Sequence, residues 1–143
     1  MAARAARKLV LSATLDSNVY VSALQFGGAG VWLLWLARAG KIRLDTSDAI
    51  LDETTGVLRD KFGWEGYRLH FAKLQLQNVV NRVQPTRTIE VAEDPDDNRI
   101  LECAAEAGSD LIVTNDRDLL RLGSHEGRPI VRAAHFLSSY GPR

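Results

Sequence analysis

The chain has 143 residues with 18 basic and 18 acidic side chains, a formal charge of zero, which excludes a protein that coats nucleic acid by bulk charge and leaves a local basic patch open. Apolar residues make up 45% and charged residues 25%, the balance of one globular domain large enough for a proper core. No apolar run approaches the ~18–20 residues of a membrane span, and the lone cysteine, Cys103, excludes an internal disulfide and fits a reducing, cytoplasmic setting.

Residues 1–7 lack the long apolar stretch of a signal peptide and read as a disordered extension ahead of a domain over 8–143. Leu9 to Leu15 is short, apolar and β-tolerant, and it ends on Asp16-Ser-Asn, the polar kind of strand end where open α/β sheets place their sites. Val19 to Leu24 starts the chain's return, and Gly27-Gly28-Ala-Gly30 breaks it. Val31 to Ala39 reads as a helix stopped by Gly40; its first seven residues have no polar face, so burial on nearly all sides is expected, with Trp32 and Trp35 read as ordinary core in preference to a partner-binding face.

Lys41 to Asp45 is a second short strand. Ser47 caps a helix from Asp48 to Phe62, with Ile50, Leu51, Thr54, Val57 and Leu58 on its inner side and Glu53 next to that face. After Gly63, a helix over Trp64 to Val83 completes a helical hairpin that Pro85 ends. Thr86 to Val91 is a third strand by β-branched content. A helix from Pro95 to Ala107 follows, stopped at Gly108. Asp110 to Thr114 is the clearest strand, Pro129 to Val131 a brief last one, and Ala133 to Ser139 a final helical turn or two. Strands alternating with helices imply a parallel sheet with right-handed crossovers.

The most charged stretch opens the helix at Pro95, where Glu93, Asp94, Asp96 and Asp97 are four acids in five residues. Asp94 suits the N-cap, and acids in a first turn favour the helix dipole. That accounts for one or two of them. The rest are either a solvated helix end or ligands for a hard divalent cation, which takes carboxylate oxygens. Asp16, Asp97 and Asp116 all fall at C-terminal strand ends of the expected sheet, and Glu53 reaches in from the side. Several carboxylates without His or Cys favour Mg²⁺ or Mn²⁺ over zinc, the chemistry of phosphodiester hydrolysis. His70, His125 and His135 show no ligand spacing, and the glycine run lacks the Lys-Ser/Thr of a phosphate-binding loop.

These residues carry a resemblance. Leu15-Asp16-Ser-Asn-Val-Tyr-Val-Ser22, Ser47-Asp-Ala-Ile-Leu-Asp-Glu53, Asp94-Pro-Asp-Asp-Asn-Arg-Ile-Leu-Glu-Cys-Ala104 and Thr114-Asn-Asp-Arg-Asp-Leu-Leu120 resemble, in order, the four motifs of the PIN-domain family, most closely the toxins of toxin–antitoxin pairs. The resemblance implies a three-layer α/β/α, 5′-nuclease-like fold with a helical hairpin, and a metal-dependent ribonuclease. It assigns Mg²⁺ or Mn²⁺ to Asp16, Glu53, Asp97 and Asp116, choosing Asp97 over Asp96 because Asp97, Ile100 and Ala104 match the family spacing. Asn18 and Thr114 map to polar residues lining the site, and Asp118 to an additional nearby acid. Ser17 stands where the family usually has threonine, keeping the hydroxyl. Arg99 and Arg117 are open between phosphate contacts and plain surface charge. RNA is the implied substrate, a cognate antitoxin and a second copy of the chain the implied partners. A PIN-like binding module without strong catalysis, or a nuclease or phosphatase acting on DNA or small phosphate esters, are the alternatives.

Overall fold

The computed structural model describes residues 10–142; the expected extension over 1–7 lies outside them. Among the described residues, six strands form one sheet: β1 (Leu11–Leu15), β2 (Ile42–Thr46), β3 (Val80–Arg82), β4 (Leu111–Val113), β5 (Ser124–His125) and β6 (Arg128–Val131), in the order β3-β2-β1-β4-β6-β5. All neighbours pair parallel except β5 with β6. β1 is buried from Ser12 to Leu15 and β4 throughout, the near-continuous burial of strands covered on both faces. The helices are α1 (Ser17–Phe26), α2 (Ala29–Arg38), α3 (Asp48–Phe62), α4 (Tyr67–Val79), α5 (Pro95–Ala107), α6 (Arg117–Arg121) and α7 (Ala133–Ser139). α5 packs across β1, β2 and β4, and α2 packs on β2 and α7.

From β1 the chain steps to β2 on one side and later to β4 on the other. The C-terminal ends of β1 and β4 therefore flank the topological switch point, where such sheets open a ligand crevice. The parallel α/β architecture and hairpin are as expected from the sequence. The bounds of α3 and α5 hold because their ends are chemically marked. Ser47 accepts a hydrogen bond from Ile50 N–H, Asp94 accepts one from Asp96 N–H, and Gly63 and Gly108 close the two helices in the left-handed region.

Five expectations are refined or corrected. Val19 to Leu24 belongs to a full helix, α1, whose tight turn into α2 runs through Gly27 and Gly28 at φ 84° and 82°. Gly30 then approaches α1 so closely that a Cβ there would stand 2.9 Å from Ala23 Cβ. The helix expected to reach Val83 stops at Val79, and Val80–Arg82 become the edge strand β3. Thr86 to Val91 forms no strand and pairs with none among the described residues. It runs along α5, where Glu106 accepts from Thr86 N–H, Glu102 from Ile89 N–H, and Asn98 from both Val91 and Ala92 N–H. Those acceptors lie four residues apart on one stripe of α5, so helix side chains do for this segment what a neighbouring strand would do. Finally, Trp32 and Trp35 are not core: they are 64% and 66% exposed, while Leu33 is fully buried. Ser124–His125 adds a short antiparallel strand to a sheet expected to be parallel throughout.

Candidate active site

Asp16 sits at the end of β1 and at the N-cap of α1, 5% exposed. Its backbone N–H donates to Val113 O, continuing the β1–β4 ladder and setting Asp16 beside Thr114. Thr114, fully buried, donates through Oγ1 to Asp16 Oδ2 at 2.7 Å and accepts from Asp116 N–H at 3.0 Å. One hydroxyl thus positions acids on two elements. Asn18 Nδ2 donates to Asp16 Oδ2 at 3.2 Å, and Asn18 Oδ1 accepts from Asn115 N–H, tying α1 to the loop after β4. Asp116 caps α6, accepting from Asp118 N–H at 3.0 Å. Asp97 lies in the first turn of α5, 6% exposed. Glu53 comes from α3, and the Ser17 hydroxyl, which donates to Asp16 Oδ1, also lies against Glu53.

These four acids, with Asp94 and Asp96, line one cleft of about 350 Å³ at the switch point. Their crowding is visible in their proton affinities. Burial pushes the Asp97 carboxyl up to about 7, helped by the charges of Asp116, Asp16 and Asp94. Glu53 is raised by burial first and then by the charges of Asp96, Asp16 and Asp94, with the nearby Ser17 hydroxyl opposing the rise. Asp16 is raised because burial outweighs the hydrogen bonds from Thr114 and Ser17.

Two other buried acids serve as internal controls. Asp45, fully buried on β2, receives Arg43 Nε at 2.8 Å, Asn81 Nδ2 at 2.9 Å and Ser109 Oγ at 2.6 Å. Glu102 pairs with Arg99 at 2.7 Å. Outside the cleft, then, a buried carboxylate has an arginine. Inside it, among the described residues, none of Asp16, Glu53, Asp97 and Asp116 makes an ion pair. An uncompensated group of oxygen-only donors suits a hard divalent cation. No three His, Cys, Asp or Glu side chains among the described residues stand close enough to hold an ion together, so direct binding by three or more of these acids takes rotation of at least one carboxylate, Glu53 having the longest arm.

The other sequence candidates divide. Asn18 and Thr114 are at the site. Asp118 is exposed, pairs with Arg121 at 2.9 Å, and lines an adjoining hollow shared with Asp97 rather than the cleft. The fold does not bring Arg99 to the acids; it is engaged with Glu102 in a separate hollow with Ser47 and Pro85. Arg117 is exposed at the first position of α6, beside Asp116. The sequence reading missed Phe26, Lys61 and Phe62, which line the cleft's far end. Their signal was there in the stripes Asn18-Ser22-Phe26 and Glu53-Val57-Lys61, each at helical i, i+4, i+8 spacing.

A parallel α/β sheet with a cleft of acids at its switch point is the class of fold this chain defines. The PIN domain family's sequence profile matches residues 12–118, and the chain belongs to that family. PIN domains are generally nucleases and typically use divalent metal ions. The crystal structure of PAE2754 from Pyrobaculum aerophilum aligns with a TM-score of 0.60 over 90% of this chain and 88% of that one, at 14% identity, a likeness of fold alone. No curated protein matches the chain.

Proposed function

We propose that this PIN domain is a Mg²⁺- or Mn²⁺-dependent endoribonuclease, the toxin of a cytoplasmic toxin–antitoxin pair. The observation that carries the hydrolase reading is the contrast just described: buried acids elsewhere are paired with arginine, and those of the cleft are not. Asp16, Asp97, Asp116 and Glu53 would hold the cation. A bound cation supplies charge neutralisation at the phosphate and a more acidic water. Thr114, Asn18 and Ser17 keep Asp16 oriented without adding charge. Glu53, half-exposed and with its proton affinity raised, is suited to orient the attacking water and accept its proton. Arg117 beside Asp116 is the arginine placed to steady the phosphate; Arg99 is not.

The choice of RNA rests on the motif resemblance. A panel of single-stranded RNA, structured RNA, DNA and a small phosphate ester, each with Mg²⁺, Mn²⁺ or EDTA, tests it. Cleavage confined to RNA with metal is the expected result; cleavage of DNA or of the ester alone overturns the ribonuclease reading, and no cleavage at all points to a binding module.

Two partners belong to the same proposal. The exposed Trp32 and Trp35 on α2 support a homodimer, since large aromatics left in water mark contact surfaces. An apolar groove of about 510 Å³ on the hairpin side, lined by Leu24, Trp64, Tyr67 and Phe71, supports an antitoxin that docks there and inserts a basic side chain toward the acids.

A further inference from the structure

The cleft is polar in the literal sense, with different chemistry at its two ends. Ser17 meets Glu53 at the acid end, and the Phe26 and Phe62 rings meet at the other, centroids 5.5 Å apart and nearly perpendicular. Both contacts are offset by nine residues on each helix, so α1 and α3 run side by side in the same direction. Nine residues at 1.5 Å each separate the two ends by about 13 Å. Phe26 is 72% exposed, so its ring contributes little to the core. Lys61, on the Glu53 stripe and in the last turn of α3, is the one basic side chain among the described residues lining the cleft, and it makes no ion pair. A free cation and a flat apolar face thus stand about two helical turns from an acid cluster.

We propose that this far end is a nucleobase-stacking subsite, in which Phe26, braced edge-on by Phe62, stacks an unpaired base of single-stranded RNA while Lys61 pairs with that strand's phosphate. The inference rests on the ribonuclease reading and adds to it the residues of this chain that hold the strand. A base inside a duplex has both faces covered, so a single exposed ring selects unstacked nucleotides. The acid end repels the backbone without a cation, so Lys61 and the ring are what capture the strand beside it.

The test uses the full chain carrying Asp97→Asn in EDTA, so that binding is read without cleavage. The probe is a short single-stranded oligoribonucleotide containing 2-aminopurine, whose emission falls when the base stacks. Phe26→Ala and Phe26→Leu are expected to weaken binding roughly 5- to 100-fold and to abolish the emission change, whereas Phe26→Trp retains both. Leucine keeps the apolar bulk and removes the flat face, and a side chain this exposed can be changed without unfolding the protein. Lys61→Gln should lower the log–log salt slope of binding by about 0.7. A Phe26→Leu variant that binds and quenches like the parent overturns the subsite, as does equal Phe26 dependence for a duplex probe; loss of a protein partner with RNA binding intact also overturns it and makes the pair a protein contact. Metal-dependent cleavage by the unmodified chain is measured separately: its failure sinks the ribonuclease reading, and unchanged binding in a chain that does cleave sinks only the subsite.

Discussion

Asp97→Asn should make the metal-free protein more stable, by an amount that grows with pH. The folded-state affinity of Asp97 for its proton lies at about 7 against an ordinary value of 3.8. A raised folded value stabilises fully below pH 3.8, and that stabilisation is lost as pH rises through about 7. At 1.36 kcal/mol per unit, the loss reaches at most about 4 kcal/mol above pH 8. Asparagine never ionises, and its amide can donate toward Asp116 where the shared proton of Asp97 did. In EDTA the two proteins should therefore melt together near pH 4 and separate on the order of 10 °C by pH 8, the variant higher. Mn²⁺ at a hundredfold excess over its dissociation constant should add about 2.7 kcal/mol to the parent and much less to the variant. Thermal melts across pH, with Mn²⁺ and with EDTA, read all of this. If the variant melts below the parent in EDTA at every pH, Asp97 is a structural part of the helix start, and carboxylate crowding does not shape this cleft.

Thr114→Val keeps the shape but removes the hydroxyl shared by Asp16 and Asp116; it should cost roughly 1–3 kcal/mol of stability and weaken Mn²⁺ binding about 10- to 100-fold, measured by denaturation and calorimetry. Unchanged metal affinity would show that Asp16 needs no positioning. Glu102→Ala removes the acceptor for Ile89 N–H and the partner of Arg99, so amide exchange over residues 86–92 should speed up while β1 and β4 stay protected; uniform loss of protection would mean the segment is not pinned locally. Replacing Trp32 and Trp35 with Glu should convert a dimer to a folded monomer by light scattering, because both side chains are exposed within the chain. A parent that is already monomeric at micromolar concentration refutes the dimer.

Much of this architecture was legible because it is locally encoded. Ser47, Asp94, Gly63 and Gly108 mark helix ends through contacts within a few residues, so α3 and α5 could be bounded from the sequence. Asp16, Asp97 and Asp116 were legible for a related reason: each ends a strand or starts a helix, and parallel topology gathers those points. Non-local choices were not legible. Thr86 to Val91 has β-branched content whether its N–H groups meet a strand or the Glu106–Glu102–Asn98 stripe. Val80 to Arg82 continues a helical pattern until pairing with Leu44 to Thr46 draws it into the sheet. Apolar content in α2 pointed to burial on nearly all sides, but composition does not say which face the chain's own core covers, and Trp32 and Trp35 are exposed. Arg99 sits within the acid-rich motif, yet the helical turn carries it round to Glu102.

The most direct test follows RNA cleavage while Mn²⁺ is titrated, with bound metal read by electron paramagnetic resonance in the same samples. If the unpaired acids of the cleft are a catalytic cation site, cleavage rate rises in proportion to bound Mn²⁺, and both vanish in EDTA and in Asp16→Asn. Cleavage that persists in EDTA, or in Asp16→Asn without bound metal, contradicts it.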